Sequence, residues 1–145
     1  MSKVVHISEA ASIAIHSLAI IASSPGKINA RQIAQITGSS VNHLSKVMQL
    51  LSKNGYIQSN RGPSGGFVMN KPASQITLLE IYEYIEGTID CQFCGIPENK
   101  CPFVSCVFGL KAEIFSEEFK NYLRETRISD LTTKKYIYAK ENHSN

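Results

Sequence analysis

The sequence predicts a mainly α fold with one small β-hairpin: a winged helix-turn-helix followed by a long C-terminal helix suited to dimerisation. Three observations predict it. Two short amphipathic segments meet at Gly38, the glycine-containing turn of a helix pair. Directly after the second comes a glycine-rich turn, Asn60-Arg61-Gly62-Pro63-Ser64-Gly65-Gly66, between two apolar strand segments. Beyond residue 102, apolar residues recur at three and four over about twenty positions.

A chain of 145 residues with 43% hydrophobic and 19% charged residues has ordinary globular composition and can bury a core. Val4–Ala22 is broken by His6, Glu9 and His16, unlike a secretory signal, and no apolar run reaches the ~18 residues of a membrane span. A cytoplasmic protein is therefore expected, in a compartment where clustered cysteines serve metal or redox chemistry more often than disulfides. The net charge of +3 hides an asymmetry. Residues 1–76 carry seven Lys/Arg (Lys3, Lys27, Arg31, Lys46, Lys53, Arg61, Lys71) against the single acid Glu9, whereas residues 77–145 carry eight basic and eleven acidic residues. A basic first half suits a polyanionic partner.

Ser8 to Ser23 reads as a first helix, closed by Ser24-Pro25-Gly26. A second starts at Asn29, a capping residue with Gln32 as its capping-box partner, and stops at Gly38. Ser39 or Ser40 caps a third through Val41 to Leu51, with 41, 44, 47, 48 and 51 on one apolar face and Val41 counted in the interior. Its other face offers Ser40, Asn42, His43, Ser45, Lys46 and Gln49, side chains able to reach bases or phosphates in a major groove. Tyr56–Ser59 and Phe67–Asn70 read as paired strands, a wing with Arg61 at its base. Arg61 is placed to enter a minor groove, and Ser64 and Gly65 to lie along the DNA backbone. Thr77 to Glu80 reads as a capping box opening a fourth helix to Glu86. The last helix is expected to begin near Pro102 or Phe103, with Val107, Leu110, Ile114, Phe115, Phe119, Tyr122 and Leu123 as its stripe. So many aromatics with little chain left to cover them point to a second copy as partner. The expected division is a DNA-binding unit at 1–76, a sensing and dimerisation unit at 77–127, and a polar tail at 128–145.

All four cysteines, Cys91, Cys94, Cys101 and Cys106, lie within sixteen residues, and the other 129 have none. Such clustering suits convergence on one centre: zinc, an iron–sulfur cluster, or two disulfides. Gly95, Pro97 and Pro102 let the backbone wrap it closely.

The helix pair Ile33 to Leu51, the segment Asn54-Gly55-Tyr56-Ile57 with Arg61-Gly62-Pro63-Ser64-Gly65-Gly66-Phe67, and Lys71-Pro72-Ala73 with Ile76 to Ile81 and the cysteine loop resemble the IscR/NsrR type of iron–sulfur and nitric-oxide regulators. The resemblance covers residues 8 to about 125. It implies a homodimeric transcription regulator binding double-stranded DNA at a two-fold operator, with a cluster near the dimer interface controlling affinity. It carries the family's three cysteines onto Cys94, Cys101 and Cys106. Cys91 is extra. No histidine follows Cys106 before His143, and the first helix offers Glu9 but has Ser12 at the family's acidic-ligand position, so Cys91 is inferred to be the fourth ligand. Complete cysteine ligation allows both 2Fe-2S and 4Fe-4S; a 4Fe-4S cluster is the expectation, with zinc or a metal-free thiol switch as the alternative. An enzyme is not expected, because four scattered histidines without paired carboxylates make a poor acid–base set. His16 is expected to be a core or interface histidine.

Overall fold

The computed structural model describes residues 5–90 and 94–131. Among them are five α-helices and one antiparallel hairpin: α1 (Glu9–Ser23), α2 (Ala30–Thr37), α3 (Val41–Lys53), β1 (Ile57–Asn60), β2 (Gly66–Met69), α4 (Leu78–Glu86) and α5 (Lys111–Glu125). Short 3-10 turns occupy Ala73–Gln75, Glu98–Lys100 and Ile128–Leu131.

Local chemistry accounts for the helix starts. Ser8 Oγ accepts from Ala11 N, Asn29 and Gln32 form a reciprocal capping box, and Ser40 Oγ accepts from His43 N. Gly38 adopts the left-handed conformation that closes α2. At Thr77 the expected box is half made. Thr77 accepts from Glu80 N, but the Glu80 carboxylate turns to Lys71 Nζ at 3.2 Å. Lys71 also lies 5.7 Å above the Tyr56 ring, and burial, then the Glu80 carboxylate, pushes the Tyr56 hydroxyl up to about 12.

α1 is the hub. Ala11, Ala14 and Leu18 have no exposed surface, and the helix packs on α2, α3, α4, β2 and the Ile128–Leu131 turn. Leu44, Val47, Met48 and Leu51 of α3 join this core, while Val41 is 45% exposed. Val41 opens the helix, one turn ahead of the packed face, so the apolar spacing overreached there.

The hairpin pairs Ile57 with Met69 through Asn60 with Gly66, one residue nearer the turn than expected. Tyr56 lies outside the ladder because its N–H donates to Leu51 O and its carbonyl takes Asn70 N and Lys71 N. A further bridge was not foreseen: Ile28 and Phe67 exchange backbone hydrogen bonds at 3.3 and 2.8 Å.

Two expectations on the C-terminal half are corrected. α5 begins at Lys111, because Gly109 (φ 61°) and Leu110 (φ 56°) are both left-handed and interrupt any helix started near residue 103. The polar tail does not begin at 128. Ile128 is fully buried and its N–H donates to Ile76 O, Leu78 N donates to Thr126 O, and Arg127 Nη1 donates to Ser74 O. Residues 132–145 lie outside the described residues.

Candidate nucleic-acid interface and cysteine loop

The outer face of α3 follows from its inner one. With 44, 47, 48 and 51 buried, Asn42, Lys46, Gln49 and Lys53 form an exposed row at helical spacing. Asn42, Lys46 and Gln49 were expected there; Lys53 extends the row, and the spacing alone could have found it. Ser40 is exposed at the helix start, its oxygen engaged in the cap. His43 lies to one side of this row, with its ring Nδ1 3.3 Å from Glu9 Oε1 of α1.

Arg61 is exposed and follows β1 directly, at the turn of the wing rather than its base. Ser64 is exposed beside it. The wing's glycines answer to space inside the chain as well as to φ. A Cβ on Gly65 would lie 2.3 Å from Asn60 O, and one on Gly66 2.9 Å from the Ile28 carbonyl. Gly62, at φ 103°, needs its conformational freedom.

Cys94 and Cys101 are exposed and Cys106 half-buried, all three free thiols on the loop between α4 and α5. Cys91 lies outside the described residues. Among the described residues no three metal-binding side chains are gathered into one site. The donor set nonetheless suits an iron–sulfur cluster or zinc: thiols on a loop with glycine and proline between them. A cleft of about 300 Å³ lined by His6, Tyr82, Gly87, Asp90 and Phe119 opens where this loop departs. His16 is exposed, not core; its Nδ1 is 2.7 Å from Ser12 O, and both residues line a groove of about 640 Å³ with Ile36 and Leu131.

α5 divides its stripe. Leu123 is buried, and Phe119 meets Tyr82 of α4 edge-on at 6.1 Å. Leu110, Ile114, Phe115 and Tyr122 remain about half exposed, as do Phe103, Val107 and Phe108 ahead of the helix. No helix among the described residues is long and apolar enough to cross a membrane.

Comparison with known proteins agrees with this layout. The model of the Rrf2 family, iron-dependent transcriptional regulators, matches residues 7–134. The HTH-type transcriptional regulator IscR of Serratia proteamaculans is 24% identical over 123 residues, 85% of this chain and 75% of its own length. IscR of Photorhabdus laumondii is 32% identical over 72 residues, half of this chain and 44% of its own length, so the chain spans less than half of that relative. Among solved structures, CymR (YrzC), the global cysteine regulator of B. subtilis, superposes with a TM-score of 0.70 at 22% identity, covering 91% of this chain and 98% of that one. These relatives are transcription regulators rather than enzymes, the hairpin following α3 is the wing of a winged helix, and the chain belongs to the Rrf2 family of transcriptional regulators.

Proposed function

We propose that this protein is a cytoplasmic, homodimeric transcription regulator that binds two-fold DNA sites and senses redox, nitric-oxide or iron–sulfur status through its cysteine loop. One observation carries the reading. A basic reading head and a loop holding every cysteine are joined through α4 and α5, and α5 keeps an apolar side exposed in the single chain. In this reading Asn42 and His43 read base edges. Ser40, Lys46, Arg61, Ser64 and Gly65 hold the DNA backbone, Arg61 by way of the minor groove. Leu110, Ile114, Phe115 and Tyr122 pack on a second copy.

Cys91, Cys94, Cys101 and Cys106 would hold an iron–sulfur cluster, 4Fe-4S in preference to 2Fe-2S. When bound, such a centre supplies redox and nitric-oxide reactivity to the loop. The protein's own part is to hold four thiolates on a loop that Gly95, Pro97 and Pro102 let turn closely, and to pass the loop's state to α4 and α5. A signal works only through different stabilities of two loop states, and a strong switch needs ~5 kcal/mol of that difference.

Anaerobic purification followed by absorption spectroscopy and iron, sulfide and zinc analysis tests this. Brown protein absorbing near ~400 nm with comparable iron and sulfide is expected, and Cys91→Ser is expected to lose or loosen the cluster. An unchanged cluster in that variant removes Cys91 from the ligand set. A second reading, a structural zinc or a metal-free thiol switch, is favoured by the Cys-x2-Cys spacing of Cys91 and Cys94. One zinc per chain, or colourless protein whose DNA binding follows thiol oxidation, would select it.

A further inference from the structure

Glu9 is the single acid among the first 76 residues, and it stands against the helix taken above to read DNA. An unneutralised carboxylate in a head that meets a polyanion weakens binding unless it does something else there. Its position shows what that is. Glu9 opens α1 directly after the cap residue Ser8, and its Oε1 lies 3.3 Å from His43 Nδ1. Glu9 is itself 69% exposed and His43 34% exposed, so the pair sits at the edge of the reading face rather than inside the core. His43 follows Asn42, the first member of the exposed α3 row, and Lys46 is the nearest cation along the same helix.

A histidine ring held at one nitrogen presents the other. With Nδ1 3.3 Å from the Glu9 carboxylate, the ring is held about its side-chain torsions, and Nε2 is the atom left for a ligand once that contact carries the ring hydrogen. In the neutral ring Nε2 is then an acceptor, suited to an amino group on cytosine or adenine. In the imidazolium it is a donor, suited to guanine or a phosphate. A free ring could offer either nitrogen in several orientations, and would read bases loosely.

We infer that Glu9 is a positioning residue for base recognition: it holds His43 by Nδ1 and so sets which atom of the reading helix faces the base pairs. This rests on the proposal that α3 reads DNA. It also assigns Glu9 two opposed effects, weaker general attraction to DNA and sharper discrimination among sequences.

The test uses the full-length protein and a duplex selected from a random-sequence pool by the wild type, compared with a scrambled duplex of equal length. Glu9→Ala is expected to lower the ratio of selected to scrambled affinity by roughly three- to tenfold, the scale of one well-placed base contact, while binding to the scrambled duplex stays level or tightens. Glu9→Gln, which keeps an acceptor oxygen for Nδ1, is expected to retain most of the discrimination. His43→Ala should lose as much as Glu9→Ala, and the double variant no more than either. Equal tightening on both duplexes by Glu9→Ala would reduce Glu9 to a repulsive charge and overturn the inference. So would losses that add in the double variant, or a loss in Glu9→Gln equal to that in Glu9→Ala. Asn42→Ala and Lys46→Ala separate the two levels: if they too leave selected binding intact, the reading-helix assignment fails and takes this inference with it.

Discussion

Gly62 and Gly65 stand three residues apart in one turn and resist substitution for different reasons. Gly62 needs its positive φ; Gly65 has no room for a Cβ, which would press on the Asn60 carbonyl at 2.3 Å. Gly65→Ala is therefore expected to cost ~1–3 kcal/mol as the turn shifts, read as a lower melting temperature, and to weaken DNA binding with it. Arg61 makes no ion pair among the described residues, and its charge is available to a ligand. Arg61→Ala should leave the melting temperature unchanged, weaken DNA binding and reduce the slope of log K against log salt by about 1. An unchanged affinity would contradict the wing's proposed role. The sequence marked all three residues through composition and turn chemistry. It placed Arg61 at the wing's base because strand ends are weakly encoded: the Tyr56 backbone is drawn out of the ladder by Leu51, Asn70 and Lys71, none of which a local pattern reveals.

Among the elements, α2 was legible to the residue and α3 at its start, since Asn29, Gln32 and Gly38 cap as expected and Ser40 is one of the two caps offered. α3 runs on to Lys53, two residues past the expected Leu51. α5 was legible in character but not in extent. Its apolar spacing continues upstream through Val107 and Phe103, and a period says nothing of the two left-handed residues, Gly109 and Leu110, that forbid the helix there. The Ile28–Phe67 bridge was invisible, because a one-residue pairing has no period. α5 also carries the clearest consequence for assembly. Ile114 and Phe115 are 49% and 48% exposed, side by side on the surface left open after Phe119 and Leu123 have packed inward. Ile114→Glu and Phe115→Glu, each costing little in the single chain, are expected to convert a dimer to monomer in sedimentation velocity and to lower operator affinity with it. A dimer that survives both changes would move the proposed interface elsewhere.

At the scale of the whole molecule, the charge asymmetry, the helix pair and the wing were readable because each rests on residues near one another in the chain. The cysteine loop was readable only as a donor set. Spacing identifies thiols that can converge, but the path between them is set by the centre they bind and by whatever packs beside them. Among the described residues the buried core draws on residues 13 to 128 and includes no cysteine, so that core forms apart from the proposed metal site. Stripping iron with a chelator is therefore expected to leave one cooperative thermal transition and unchanged helix content by circular dichroism, while DNA binding changes. Loss of the cooperative transition would mean that the centre also holds the fold together. The hydrogen bonds Ile128 N to Ile76 O and Leu78 N to Thr126 O give this expectation its topology. The chain leaves the proposed reading head at residue 76 and comes back against the same stretch of backbone about fifty residues later. On the way α4 packs on α1, and the cysteine loop beyond it is enclosed by a closed neck. With the neck closed, lengthening the loop inside it costs only about 0.6 kcal/mol per doubling. Loops of other lengths and other ligand sets could be spliced between α4 and α5 without the head having to be redesigned, and one DNA-reading frame could thereby serve many chemical signals.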